Sequence, residues 1–178
     1  MNLPNKLSLT RIALIPMMVA LMYPNTTVCN LLAAAVFALA AFTDFLDGHI
    51  ARKQHIVTDF GKFVDPVADK LLVLSALIML IQQGLMLAWV VVVILARELC
   101  VDGLRMVAVG QGRVIAAGKL GKIKTVSQIV LILWLMLSHQ PVLRHAVSFI
   151  LTAWVLVITL WSGVDYFVKN GACLRDVK

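Results

Sequence analysis

The sequence predicts an all-α protein that crosses a membrane six times, with both termini on the cytoplasmic side. Of its 178 residues, 61% are hydrophobic and only 14% are charged. A soluble domain is roughly half apolar and about a quarter charged, so this composition does not suit a surface that faces water. Long apolar stretches recur from end to end, which indicates one polytopic membrane domain over residues 1–178.

Six stretches have the length and composition of a transmembrane helix, which takes about 17–25 apolar residues. They are Leu7–Tyr23, Val28–Phe45, Pro66–Gln83, Leu85–Val109, Ile123–Ser138 and Val147–Val168. The first stretch contains Arg11 and lacks a small-residue cleavage site, so we expect it to be retained rather than removed as a signal peptide.

The basic residues are distributed unequally between the two sets of connections. The connections after the first, third and fifth spans hold one basic residue, Arg144, whereas the other connections and the termini hold nearly all the rest. By the positive-inside rule the second set is cytoplasmic. This asymmetry explains the net charge of +7. The basic residues do not form a stripe beside aromatic residues, the pattern typical of nucleic-acid binding, so we do not expect nucleic acid as a partner.

Cysteine and histidine do not form a candidate site. The three cysteines, Cys29, Cys100 and Cys173, are odd in number and scattered, which predicts neither a disulfide framework nor a metal-ligand spacing. His49 and His55 do not share the helical face of the acidic residues described next, so we interpret them as interfacial residues.

The end of the second span carries two carboxylates beside two small residues. If the helix continues, Asp44, Asp47, Gly48 and Ala51 fall at i, i+3, i+4 and i+7, which is one face. A glycine inside a helix costs about 1 kcal/mol relative to alanine, so the hollow beside the two anions must serve some purpose. Arg52 follows directly and is suited to hold a phosphate by bidentate hydrogen bonds.

The approach to the third span repeats this pattern. Gly61, Asp65 and Asp69 are spaced four residues apart, again on one face of a helix. We expect Pro66 in the first turn of that helix, where a missing N–H is no loss. If the two faces meet, four carboxylates converge at the membrane boundary.

Four converging carboxylates require cations. Even one acid at the centre of a membrane helix costs about 2.5–3.5 kcal/mol. All the candidate ligands are hard oxygens, which favours Mg²⁺ or Mn²⁺, and two such ions can clamp phosphoryl oxygens. An alternative is that individual acids have local partners: Asp65 caps the third helix, or Asp69 pairs with Lys70 or Arg52.

The complete pattern resembles a known signature. It reads Asp44-x-x-Asp47-Gly48-x-x-Ala51-Arg52, then eight residues, then Gly61-x-x-x-Asp65-x-x-x-Asp69, and it resembles the signature of the CDP-alcohol phosphatidyltransferase family at every defined position. The resemblance implies a six-helix membrane fold with a site that faces the cytoplasm, and it makes a homodimer the expected assembly. It also implies that an alcohol attacks the phosphate of a CDP-linked lipid and releases CMP.

The resemblance implies a role for each signature residue. The metals would be held by Asp44, Asp47, Asp65 and Asp69, and Asp69 would also be the general base that activates the acceptor hydroxyl. The pocket for the cytidine diphosphate part of the donor would be lined by Gly48, Ala51, Arg52 and Gly61.

Basic residues after the middle of the fourth span bear on the acceptor alcohol. An acceptor with its own phosphate needs cationic donors, whereas choline or ethanolamine does not. The candidates are Arg97, Arg105, Arg113, Lys122 and Lys124. The stretches Pro4–Arg11, Ala96–Glu98, Gly103–Arg105 and Gly121–Thr125 look like those of bacterial family members that make phosphatidylglycerophosphate. This likeness implies CDP-diacylglycerol as donor and sn-glycerol 3-phosphate as acceptor.

Other interpretations stay open at this point. One alternative is a synthase of the same family whose acceptor is inositol phosphate, serine or phosphatidylglycerol. A second is that the basic residues serve topology or contact anionic lipids, and that Arg97 pairs with Glu98 or Asp102. Arg11 either extends to the interface or points inward to the donor phosphate. A cation transporter with an acidic site is the alternative from another class, disfavoured by the nearly clean apolar outer ends of four spans.

Overall fold

The computed structural model describes the backbone of residues 3–54, 59–111, 115, 118–138 and 141–171, and the side chains of residues 9–43, 67–111, 115, 118–138 and 145–171. Within those ranges the chain forms helices and no β-strand, which confirms the all-α fold class. The helices are α1 (Leu3–Met22), α2 (Thr27–Gln54), α3 (Asp59–Gln82), α4 (Ala88–Gly110), α5 (Lys119–Leu137) and α6 (Pro141–Asn170).

Each helix corresponds to one of the expected spans; five helices are longer than the predicted span, and α4 is shorter because it begins at Ala88 rather than Leu85. As expected, α2 continues past the apolar stretch and carries the first half of the signature on a helical backbone. The expectation that Pro66 lies in the first turn of α3 is wrong, because α3 begins at Asp59. An acidic first residue favours a helix N-terminus electrostatically, and an internal proline removes one backbone hydrogen bond without necessarily ending the helix. Similarly, α6 begins at Pro141, ahead of its apolar stretch.

The chain divides into two compact units, and each is described by itself. The first comprises Met1–Met86 with Ile132–Arg144, and the second comprises Leu87–Leu131 with His145–Lys178. In the first unit, α1, α2 and α3 pack against one another. Buried alanines on α2 and α3 allow the backbones to approach closely, which is how membrane helices gain van der Waals contact. They are Ala33, Ala34, Ala40, Ala68 and Ala76.

A polar network joins one end of this three-helix unit. Nε2 of Gln83 donates to the carbonyl oxygen of Met22 at 2.8 Å and to Oδ1 of Asn30 at 3.0 Å. Nδ2 of Asn30 donates in turn to Oδ1 of Asn25 at 3.2 Å. Asn25 adopts a φ of 50°, in the left-handed region that asparagine tolerates better than most residues. The network therefore connects the end of α3 to the turn between α1 and α2.

Apolar side chains cover much of the outer surface. Two described stretches, Lys119–Leu137 and His145–Asn170, are long and apolar enough to cross a membrane, and Leu9–Met22 and Thr27–Thr43 are shorter apolar helices. Along α6, exposed side chains include two tryptophans and several aliphatic residues; they are Phe149, Ile150, Trp154, Val157, Trp161 and Val164. Apolar exposure on this scale suits lipid rather than water.

Candidate active site

The first unit carries the helices of the acidic signature. The backbone of α2 places Asp44 and Asp47 at i and i+3, and that of α3 places Asp65 and Asp69 at i and i+4. Both helices belong to one packed unit, as convergence of the two faces requires. The side chains of the first three aspartates lie outside the described ranges, and those of Asp69 and its neighbours form no cluster of three metal-ligating residues within them.

In the first unit, the structure describes the side chains of Asp69, a predicted site residue, and of Arg11, whose role the sequence left open. Asp69 is half-buried on α3. Arg11 is only 1% exposed, so it does not extend along the protein surface to water. A buried guanidinium is costly unless it meets hydrogen-bonding or anionic groups, so burial favours the interpretation that Arg11 points inward. It lies on α1, which packs against both helices of the signature.

The expected donor-pocket residues lie on the same helices. Gly48, Ala51 and Arg52 fall in the last two turns of α2, and Gly61 falls in the first turn of α3. The backbone thus confirms their helical register, which the expected hollow requires. Their side-chain surroundings lie outside the described ranges. The donor set itself, four carboxylates on two packed helices, fits Mg²⁺ or Mn²⁺ better than a softer metal.

In the second unit, three charged side chains form a compact group. Nη1 of Arg97 lies 3.2 Å from Oε1 of Glu98, and Nζ of Lys124 donates to the same oxygen. The Lys124 side chain is 5% exposed and that of Glu98 is 15% exposed. Two of the predicted acceptor-binding residues are therefore together, but both are paired with a carboxylate. This is the pairing of Arg97 with Glu98 that the sequence left open.

The stem of Arg97 packs against a glycine of α6. A Cβ atom built on Gly163 would lie 3.1 Å from Cγ of Arg97, which is tighter than ordinary contact. By contrast, a Cβ on Gly103 of α4 would meet nothing within 4 Å. Gly163 therefore provides the space that Arg97 needs beside α6.

Arg105 has a different environment. Its Nε donates to the hydroxyl oxygen of Tyr166 on α6 at 3.1 Å, and its Cζ lies 5.6 Å from the centroid of the Tyr166 ring. No carboxylate pairs with it in the described part of the chain. Arg105 is thus the predicted acceptor-binding arginine whose positive charge is not offset by a described acid.

The remaining predicted basic residues are placed less centrally. Lys122 is exposed near the start of α5, and Arg113 lies outside the described residues. An open cavity of about 470 Å³ lies in the second unit, between the start of α5 and the end of α6. Its lining includes Lys119, Tyr166 and the ion pair of Asp165 with Lys169.

Comparison with known proteins shows which family the chain belongs to. The family model described as CDP-alcohol phosphatidyltransferase matches residues 1–161, which include the whole acidic signature. The chain belongs to the CDP-alcohol phosphatidyltransferase family. The resemblance stated from the signature is thereby confirmed.

Several curated relatives of the chain in the CDP-alcohol phosphatidyltransferase family carry the same name. The chain is 46% identical to a CDP-diacylglycerol–glycerol-3-phosphate 3-phosphatidyltransferase of Bacillus subtilis (strain 168), over 98% of this chain and 97% of the relative. Proteins of the same name from Rickettsia typhi and Escherichia coli (strain K12) are 38% and 36% identical, over 93% and 98% of this chain and 95% and 98% of the relatives. Together with the exposed apolar helices, membership of this lipid-synthesis family makes the chain a membrane-associated enzyme.

Sequence reasoning missed two residues of this CDP-alcohol phosphatidyltransferase that lie beside predicted acceptor-binding arginines: Tyr166 beside Arg105 and Gly163 beside Arg97. Tyr166 was not singled out, because one tyrosine near the end of an apolar helix is equally typical of an interfacial anchor. Gly163 was not singled out either, since glycine is common in membrane helices. A signal was present: Gly163 and Tyr166 are three residues apart, so they share one face of α6.

Proposed function

We propose that the enzyme transfers the phosphatidyl group of CDP-diacylglycerol to sn-glycerol 3-phosphate, with phosphatidylglycerophosphate and CMP as products. The observation that carries this proposal is the shared name of relatives that align over nearly the whole chain at 36–46% identity. Such full-length alignment leaves no additional domain in those relatives to account for their activity.

The acceptor is supported by the charge of the second unit. Glycerol 3-phosphate presents a phosphate dianion, for which a guanidinium with free terminal N–H groups is a favoured partner. Arg105 supplies this group, whereas Arg97 and Lys124 share Glu98. We assign Arg105 as the principal contact to the acceptor phosphate, with Arg97 and Lys124 as secondary contacts.

The proposed reaction is a direct displacement at phosphorus. Asp69 takes the proton of the acceptor hydroxyl as that oxygen attacks the phosphorus bearing the diacylglycerol group. A new P–O bond forms, and the bond to the CMP oxygen breaks, so that CMP leaves with the electron pair. We assign Arg11 and Arg52 to the donor diphosphate, because one is buried beside the signature helices and the other follows the signature glycine.

We also propose that two Mg²⁺ or Mn²⁺ ions are held by Asp44, Asp47, Asp65 and Asp69. When bound, the ions would neutralise the negative charge that develops as the phosphoanhydride breaks. The helical register of the four residues and their all-oxygen donor set support this assignment.

In the membrane, we propose six crossings with both termini and the signature on the cytoplasmic side. The Lys and Arg asymmetry supports this orientation, and six helices in the described ranges are consistent with the number. A homodimer is the expected assembly from the family resemblance, and light scattering of the detergent-solubilised protein tests it.

The decisive experiment is an acceptor panel with purified protein. Labelled CDP-diacylglycerol is offered with glycerol 3-phosphate, serine, inositol, inositol phosphate or phosphatidylglycerol, and the lipid products are separated by thin-layer chromatography. We expect label in phosphatidylglycerophosphate only. Preferential transfer to any other acceptor would overturn the proposed function.

A further inference from the structure

Arg105 is held by one residue through two contacts. Its Nε donates to the Tyr166 hydroxyl at 3.1 Å, and its guanidinium carbon lies 5.6 Å from the ring centroid. Cation–π attraction extends to about 6 Å from the centroid, so the ring contact is near its outer limit. The hydrogen bond to the hydroxyl is therefore the principal tether.

Tyr166 is itself firmly placed. The residue is 7% exposed, and its ring packs in an apolar cluster with Val101, Leu104 and Ala108 of α4. Its backbone carbonyl accepts a hydrogen bond from Nδ2 of Asn170 at 2.9 Å. A hydroxyl fixed in this way is a rigid hydrogen-bond acceptor for Nε–H of Arg105.

The bond to Tyr166 uses the one N–H of the guanidinium that a bidentate contact between the terminal amino groups and a phosphate does not need. Arginine carries five N–H donors, and four of them belong to the two terminal amino groups. In the described part of the chain, these terminal groups make no hydrogen bond. The hydrogen bond to Tyr166 orders the Arg105 side chain before any ligand binds. This ordering lowers the conformational entropy that Arg105 loses when a phosphate binds.

We propose that Tyr166 is a positioning residue for the acceptor: it orders Arg105 so that both terminal amino groups are available to the acceptor phosphate. This inference rests on the proposed function, in which Arg105 contacts that phosphate. It gives the described tyrosine of α6 a role in acceptor affinity although it need not touch the acceptor.

Tyr166→Phe tests the proposal, because it removes the hydroxyl and keeps the ring in its apolar cluster. Losing the hydrogen bond should raise the acceptor KM by about 3- to 10-fold. We expect kcat and the KM for CDP-diacylglycerol to change by less than about twofold, since the donor and the chemical step are untouched. The matched control is Tyr23→Phe, at the only other tyrosine, which is exposed next to the end of α1.

A second variant separates positioning from direct contact. Arg105→Ala should raise the acceptor KM by itself, and Tyr166→Phe added to Arg105→Ala should then raise it less than about twofold further. An equal increase in both backgrounds would overturn the proposal, since Tyr166 would act independently of Arg105. A fall in kcat with an unchanged acceptor KM would overturn it as well.

The outcomes also distinguish this inference from the proposed function. If the wild-type protein transfers no label to glycerol 3-phosphate, the proposed function fails and this inference fails with it. If the wild-type protein does so, and Tyr166→Phe leaves the acceptor KM unchanged, only this inference fails.

Discussion

Nζ of Lys124 on α5 donates a hydrogen bond to Oε1 of Glu98 on α4, and both side chains are largely buried. Arg97 bonds the same oxygen, so two cations share one anion and this group of three carries a net charge of +1. An incoming phosphate must compete with Glu98 for both cations. Arg105 faces no such competition from a described acid, which is why it is the better first contact for an anionic acceptor.

Lys124→Ala should lower both stability and acceptor affinity. Removing one partner of a buried ion pair typically costs about 3–5 kcal/mol, and we expect about 1–3 kcal/mol here because Arg97 still bonds Glu98. The measurement is the unfolding midpoint of the detergent-solubilised protein, with the exposed Lys122→Ala on the same helix as control. Adding Glu98→Gln to Lys124→Ala should lower the unfolding midpoint further, because Arg97 then loses its anionic partner. Equal midpoints for the two lysine variants would contradict a stabilising pair.

Chelation of divalent metals should abolish activity, and Mg²⁺ or Mn²⁺ should restore it. Asp44→Asn, Asp65→Asn and Asp69→Asn should each reduce kcat by about 100-fold or more while the protein still inserts and purifies. Asp165→Asn is the matched control, because its ion pair with Lys169 is partly exposed and contributes little. Full activity in metal-free buffer would contradict the proposed metal site.

Gln83→Ala should destabilise the first unit. The substitution removes donors to the Met22 carbonyl and to Asn30, and each buried polar group left without a partner costs about 1–3 kcal/mol. Gln82→Ala changes the same residue type one position earlier, where the side chain is exposed, and should be nearly neutral. The unfolding midpoints of the two variants give the comparison, and activity per folded molecule should be unchanged in both. A midpoint no lower for Gln83→Ala than for Gln82→Ala would show that the network contributes no stability.

Cysteine labelling in intact cells should report the orientation. After replacement of Cys29, Cys100 and Cys173, single cysteines at Asn25 and Gln140 should react with an impermeant reagent, and one at Gln54 should not. Labelling after permeabilisation shows that the Gln54 cysteine is reactive in principle. The reverse pattern would place the signature on the side opposite to a cytoplasmic nucleotide donor.

Apolar length and one spacing rule were enough to predict most of the fold. All six helices were expected, and the continuation of α2 through Arg52 followed from the one-face spacing of Asp44, Asp47 and Gly48. Helix ends were less predictable: α6 extends to Pro141 through a stretch in which Arg144 and His145 interrupt the apolar residues. Hydropathy detects the lipid-facing part of a helix, not the turns that project beyond it.

The candidate site was only partly predictable for a related reason. Arg97, Arg105 and Lys124 were singled out as charges in or next to apolar spans, and this rule does not say which charge is already compensated. Glu98 bonds Arg97 from the neighbouring position and Lys124 from another helix, and only the second contact depends on how α4 and α5 pack. Tyr166 reaches Arg105 across 61 residues of sequence, a separation that no local pattern encodes.

The narrow space at Gly163 couples the evolution of this position to that of Arg97. A methyl group there would press on Cγ of Arg97, whose far end is tied to Glu98 and has little freedom to withdraw. Alanine at 163 should therefore be tolerated better when the arginine has been shortened first, a dependence that a double-mutant cycle with Arg97→Ala measures. Lineages are expected to replace the arginine before they enlarge the glycine, so the order of substitutions along a family tree is constrained by a single van der Waals contact.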